Sequence, residues 1–503
     1  MILGEMSRPA RTAATLDDLF RRAGVRHPDA IALADPPNRE SFTDGAPRSL
    51  SFVQADRAIS AFASRLRALG LATDSVVAIQ LPNTVDSIVA FLGVLRAGMI
   101  AAPIPLLWRQ RDIVAALGQI GAKAIVTCSL IGTATHAETA RQAAVDLFSI
   151  RHVCGFGVDL PDGVVPLDDV FVAEIADASI AYARPSAAAL HIAAITFGLE
   201  AKGLTPVARN HIELVAGGLE TFLAAGMTPD MPHLSMVPIG SFAGLALTVL
   251  PWLLSGGTLH LHHGFYADAF AAQCGILDEG MITLPAAAVG PVAEAEFLVD
   301  QKQTVVALWR TPERMSAARP WETPSGLVDV ASFGEIGLLA SRRGADRIPA
   351  VIPYGAADPS RRTAGAPMVI ETARSATGTL TLRGRMVPSA AGPAHAMRLP
   401  ANAAGYADTG YGCLVDACGL VVTAPPPGLA LIGGYPFHLS QVNELIAETD
   451  PGATIVALPD AELGQRFAGH ASDRLALLAK LEARGVNPLI SRAFQPRGRL
   501  EAA

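Results

Sequence analysis

Lysine is nearly missing from this chain. Of 39 basic residues only Lys123, Lys202, Lys302 and Lys480 are lysine, and the rest are arginine. Any mechanism that needs an ammonium group has four candidates. Charge of either sign is sparse, at 17% of residues, and sums to a formal −7. That balance argues against a nucleic-acid or anionic-membrane partner. The five cysteines (Cys128, Cys154, Cys274, Cys413, Cys418) are odd in number, scattered, and form no C-x-x-C pair. A cytoplasmic chain of free thiols fits better than a disulfide framework or a zinc site. The longest apolar run, Phe242–Leu254, is thirteen residues with Pro251 inside it. It is too short to span a bilayer and reads as a buried helix followed by a turn. Met1–Arg22 carries Glu5 and two aspartates without a sustained apolar stretch, so no signal peptide is expected.

What is present is an apolar chain of 503 residues, 50% hydrophobic, with 46 glycines and 36 prolines. The length exceeds one hydrophobic core and implies at least two domains. Thr15 followed by Asp17 and Asp18 opens a helix. Ser51 opens another, whose Ile59, Phe62, Leu66 and Leu69 recur at helical spacing until Gly70. Val76–Leu81 is a continuous apolar run, as in a parallel strand buried on both faces. A helix over Val85–Gly98, a strand at Ile100–Ile104, a helix over Ile113–Ile120 and a strand at Ala124–Thr127 continue the alternation. The expected fold is α/β: a large N-terminal domain of doubly wound sheets. Short strands from about Gly378 add a small β-subdomain, and Pro425–Pro427 suggest an extended linker. The expected division is residues 1–422, a proline hinge at 423–428, and a shortened α+β C-terminal domain at 429–503. Prolines have few dihedrals with which to swing a domain, so that domain is expected to hold one orientation.

Ser241 and Ser332 lie near glycines without the G-x-S-x-G elbow, so a hydrolase triad is not indicated. His260, His262 and His263 are close together, but no acid at ligand spacing accompanies them. They read as a structural or solvent-facing trio. Cys413 and Cys418 read as small core residues. The order of blocks carries more: "LDDLFRRAGVRHPDAIAL", "LSFVQADRAISAFASRLRALGL", "VVAIQLPNTVDSIVAFLGVLRAGMIAAPI", "GAKAIVT", "VPIGSFAGLALTVLPWLLSGGTLHL", "GTLTLRGRMV" and "YADTGYGCLVDACGLVV". In this order they resemble the adenylate-forming (AMP-binding) superfamily, the acyl-CoA synthetases and their relatives, over roughly residues 15 to 480.

The resemblance implies a nucleotide site, which this chain matches only in pieces. Where the family has the phosphate loop T-S-G-T-T-G-x-P-K-G, Thr196–Thr205 reads T-F-G-L-E-A-K-G-L-T. The nucleotide-binding candidates there are Thr196, Gly198, Lys202, Gly203 and Thr205. Glu200 would place a like charge beside polyphosphate, at a cost of about 1–4 kcal/mol. The Y-G-x-T-E motif falls at Ser332–Ile336, giving Phe333 and Gly334 for adenine and Glu335, two places early, for a metal. The ribose-binding T-G-D reads Thr409-Gly410-Tyr411, with Asp408 as a substitute carboxylate. Ser241, Phe242 and Gly244 fall at the acyl pocket. The hinge signature is replaced by Thr423–Pro427, and no lysine follows Lys480, leaving Arg497 or Arg499 for the family's C-terminal lysine.

Two readings follow. The first is an ATP-dependent acid–thiol ligase forming an acyl-AMP, with ATP and Mg2+ as cofactors, a small carboxylic acid as substrate and CoA or a carrier-protein thiol as acceptor. The second is a non-catalytic acyl- or nucleotide-binding homologue, or a scaffold, with no cofactor. It rests on simultaneous departures at five motifs. Either reading allows a homo- or hetero-oligomer.

Overall fold

The structure is a computed structural model describing residues 14–172, 188–298, 302–356, 369–389, 400–417, 419–460 and 464–495. Cys418, Arg497 and Arg499 lie outside the described residues.

Two large, mostly parallel sheets carry the fold. The first has seven strands, in the spatial order Val164–Pro166, His152–Phe156, Ala124–Cys128, Val76–Ile79, Ile100–Pro103, Ile192–Glu200 and Gly203–Asn210. All of its pairings are parallel except the last. Its central strands are buried at every position, as the unbroken apolar runs require. The second has eight strands, from Gly337–Arg342 at one edge to Ser49–Ser51 at the other, with antiparallel pairs only at the two edges. A five-stranded antiparallel sheet over residues 355–424 forms the β-subdomain. Residues 429–494 follow as two hairpins and short helices around an apolar core of their own, built on Ile432, Phe437, Leu445, Leu477 and Phe494. The α/β class read from the alternation is the observed one.

Local chemistry explains the helix starts. The Thr15 hydroxyl accepts the Asp18 N–H at 3.1 Å while the Asp18 carboxylate accepts the Thr15 N–H at 2.9 Å. Ser51 and Gln54 repeat this reciprocal cap at the helix Phe52–Ala68. Ile59, Phe62 and Leu66 are fully buried on one face of that helix.

The run from Phe242 is a buried helix through Ser255, with Pro251 inside it, and Gly256 at φ +74° turns the chain out of it, as expected. The stretch Leu245–Val249 is a π turn, and the Leu250 N–H reaches back five residues to the Leu245 carbonyl. Widening the helix just before the proline accommodates a ring that would otherwise press on the preceding turn. One expectation is corrected: the proline run is not extended polyproline. The Pro426 carbonyl accepts the Leu429 N–H at 3.1 Å, and Gly428 has φ +77°. Proline at the second position and a left-handed glycine at the third make a tight type II turn.

Candidate functional site

The first sheet, the second sheet and the C-terminal segment enclose a cleft of about 1960 Å³. That is larger than a single small-molecule pocket usually is. Trp108 and Phe197 meet edge to face at 5.4 Å on one wall, and Met236, Ile239, Leu308 and Trp309 extend the apolar lining. Tyr435 and Pro436 bring the C-terminal segment to its mouth.

The stretch resembling a phosphate loop is a β-hairpin. Ile192–Glu200 and Gly203–Asn210 pair antiparallel down to Glu200 opposite Gly203, leaving Ala201 and Lys202 as the turn. Gly203 has φ +122°, which glycine allows at this corner. The Gln441 side-chain amide, from the C-terminal segment, donates to the Glu200 and Ala201 carbonyls at 3.2 and 3.1 Å. Lys202 is exposed at the tip, and Lys480 is exposed on the helix Arg474–Ala483. Thr196 and Thr205 are buried within the hairpin, and Gly198 pairs opposite Thr205.

Glu335 is 8% exposed and fully engaged by the protein. Its carboxylate accepts the Thr196 hydroxyl at 2.5 Å and the Phe242 N–H at 3.0 Å, and lies 3.7 Å from the Arg209 guanidinium. Arg209 also donates to the Glu335 carbonyl and lies over the Phe242 ring at 3.8 Å. Burial pulls its pKa down to about 10, against the opposing pull of Glu335 and Glu213. The carboxylate that the sequence offered to a metal is thus already neutralised from within. Among the described residues no three His, Cys, Asp or Glu side chains converge as a metal site.

The other expected residues divide. Phe333 is buried and meets Tyr411 edge to face at 5.5 Å, and Gly334 makes the turn after it with φ +57°. Tyr411 is therefore a packing residue beside Phe333. Asp408 accepts the Thr379 hydroxyl and the Gly410 N–H, both at 2.9 Å, and Thr409 bonds the Leu380 carbonyl. Gly410, at φ +74°, sits in a bulge of the strand Ala407–Asp416. None of Asp408, Thr409 and Gly410 lines the cleft. Of the candidate nucleotide, acyl-pocket and metal residues named from sequence, Gly203, Ser241 and Glu335 do, as does His263 of the histidine trio. Phe242 lies behind the wall under Arg209, and Gly244 packs against the backbone of Pro238. His262 is held by Gln273 at 2.7 Å, in keeping with a structural role.

Two cleft residues escaped sequence reasoning. Arg310 follows the strand Gln303–Trp309 and donates to the Ser241 hydroxyl at 3.1 Å. A charge just past the C-terminal end of an apolar parallel strand was the available signal, because ligands of open α/β sheets bind there. Asp112 lines the cleft in the first turn of the helix Gln110–Ile120. Burial raises its pKa to about 6, against the Arg109 N–H and the neighbouring arginines. Because that value exceeds about 3.9 for an unfolded aspartate, the stability it contributes is complete below pH 4 and lost as pH rises through 6. Asp112→Asn, which keeps an oxygen for the Arg109 N–H, is therefore expected to raise Tm at pH 8 and leave it unchanged near pH 4. Thermal melts at the two pH values check this, and an equal shift at both would contradict it.

The family described as AMP-binding enzyme matches residues 20–195. Human long-chain fatty acid transport protein 1 is 33% identical over 122 residues, 24% of this chain and 18% of that protein. The 4-hydroxyphenylalkanoate adenylyltransferase of Mycobacterium marinum is 35% identical over 106 residues, 20% of this chain and 16% of that protein. The chain thus spans under a fifth of the length of these curated relatives. Among solved structures, a double mutant of o-succinylbenzoate CoA synthetase from Bacillus subtilis superposes with a TM-score of 0.68 at 14% identity, covering 94% of this chain and 93% of that one.

Proposed function

We propose that the chain is a member of the adenylate-forming, AMP-binding superfamily, whose family model matches residues 20–195, and that it holds an acyl-type carboxylic acid in its cleft without activating it through ATP. The observation that carries this reading is the hairpin at Ile192–Asn210. A phosphate cradle needs backbone N–H groups turned outward together, and glycines that let phosphate approach them. Here the strands pair in ladder register to the two-residue turn, the turn carbonyls are held by Gln441, and Glu200 adds a negative charge. The engagement of Glu335 by Arg209 supports the same conclusion for Mg2+. The residues present therefore do not fit Mg-ATP, and no acyl-AMP step is drawn through them. We further propose that residues 1–422 and 429–503 act as two units joined by the turn at 423–428, with Gln441 fastening the second to the hairpin of the first.

Titration calorimetry with Mg-ATP, alongside pyrophosphate exchange over a panel of carboxylic acids, tests the reading. No ATP heat at millimolar concentrations and no acid-dependent exchange are expected. Acid-dependent exchange would establish the ligase instead.

A further inference from the structure

Arg310 stands at the wall of an apolar cleft without an anion. A guanidinium has five N–H donors, and the contact found for this one is the neutral Ser241 hydroxyl. No carboxylate among the described residues lies at ion-pair distance from it. The nearest anionic influence is Glu335, which is already committed to Arg209, Thr196 and the Phe242 N–H. Tyr435 and Tyr411 are the other groups whose electrostatic influence reaches Arg310, and both are neutral phenols at pH 7. Arg343, another arginine of the same cleft, shows the contrast: its guanidinium grips Asp329 at 2.7 and 3.0 Å. Arg310 is half-buried, with donors left over at the cleft wall, and a planar carboxylate matches the guanidinium fork bidentately. The surroundings select the rest of the ligand. Leu308 and Trp309 immediately precede Arg310, and Trp108, Phe197 and Ile239 share the cleft, so an apolar body suits the site better than a polyanion.

We infer that Arg310 anchors the carboxylate of a free, apolar monocarboxylic acid whose hydrocarbon part lies along the aromatic wall of the cleft. The inference rests on the reading of the cleft as an acid-binding site and names its recognition residue. It also means that the uncharged derivatives, amide, ester or thioester, are discriminated against at this position.

Trp108, Trp309 and Trp321 line the cleft, so intrinsic fluorescence reports binding. Octanoate and octanamide, of equal chain length, are titrated into the full chain at pH 7. Octanoate is expected to bind about tenfold or more tighter, since a charge-assisted pair is present in one and not in the other. Arg310→Gln should bring the two affinities within about twofold while leaving the amide unchanged. Arg310→Lys, which keeps the charge and loses the fork, should retain a reduced preference, and it decides the matter if the glutamine variant does not fold. Equal binding of acid and amide by the unaltered chain, binding of neither, or a preference surviving in Arg310→Gln would overturn the inference. Displacement of octanoate by inorganic pyrophosphate would also overturn it, by making the site one for phosphates. ATP-dependent exchange, by contrast, would defeat the proposed lack of activation and leave the carboxylate anchor standing.

Discussion

Arg209→Ala is expected to destabilise the protein by about 3–5 kcal/mol, the usual consequence of removing one member of a buried ion pair. Arg209 is 1% exposed and Glu335 8%, so deleting one charge leaves the other largely buried. The loss is compounded because the same guanidinium bonds the Glu335 carbonyl and covers the Phe242 ring at 3.8 Å. Guanidinium-chloride unfolding provides the measurement. A double variant, Arg209→Met with Glu335→Gln, separates pairing from packing: neutralising both sites should recover at least half of the loss, because no orphaned charge then remains. A single variant within about 0.5 kcal/mol of the unaltered protein would show the pair to be solvated and idle. The outcome bears on function, because it measures how firmly Glu335 is withheld from any external cation.

This pair also shows where the sequence stops being informative. Glu335 and Arg209 lie 126 positions apart along the chain, Arg209 on the edge strand Gly203–Asn210 of the first sheet and Glu335 in the turn between two strands of the second. The motif-based comparison reached Glu335 and offered it to a metal, because only residues near it in sequence were visible. Arg209 directly follows the apolar run Pro206-Val207-Ala208 and precedes Asn210 and His211, so the sequence alone did not mark it as buried. Its partner's identity was set by tertiary structure alone. The hairpin replacing the phosphate loop was hidden for another reason. Thr196, Gly198 and Lys202-Gly203 each match a motif letter, yet whether such residues form an open loop or a paired ladder depends on the register of the whole edge of the sheet.

The fold itself was far more legible, since its determinants are local. Reciprocal caps at Thr15 and Ser51, helix stops at Gly70 and Gly121 with left-handed φ, and uninterrupted apolar strands such as Val76–Ile79 each declare themselves within a few residues. Proline misled once, at Pro425–Pro427, where a type II turn replaces the expected extended geometry; at Pro251 a π turn lets the helix continue past the ring.

Gly244→Ala is expected to cost about 3 kcal/mol or more, at the upper end for overpacking a rigid site. The sequence placed Gly244 in an acyl pocket, but a Cβ there would stand 2.0 Å from the Pro238 carbonyl oxygen, 2.9 Å from its carbon and 3.1 Å from the Ile239 Cα. All three atoms are backbone, so no rotamer change relieves the contact, and either the helix beginning at Phe242 or the segment 238–239 must move. Both carry the cleft: Ser241, at the start of that helix, receives Arg310, and the Phe242 N–H holds Glu335. The same helix is seated on Gly217 and Gly218 of the helix His211–Ala225, where added methyls would meet Phe242 at 2.6 Å and Leu250 at 2.1 Å. A shift at residue 244 is thus opposed on a second side. Gly275→Ala, in the helix Ala267–Ile276 with nothing within 4 Å of the added carbon, is the matched control. It should leave stability unchanged or raise it by about 0.5–1 kcal/mol through helix propensity. Chemical unfolding of the two variants side by side provides the comparison. Equal midpoints would refute the close-packing role assigned to Gly244 and return it to the candidates for a ligand contact.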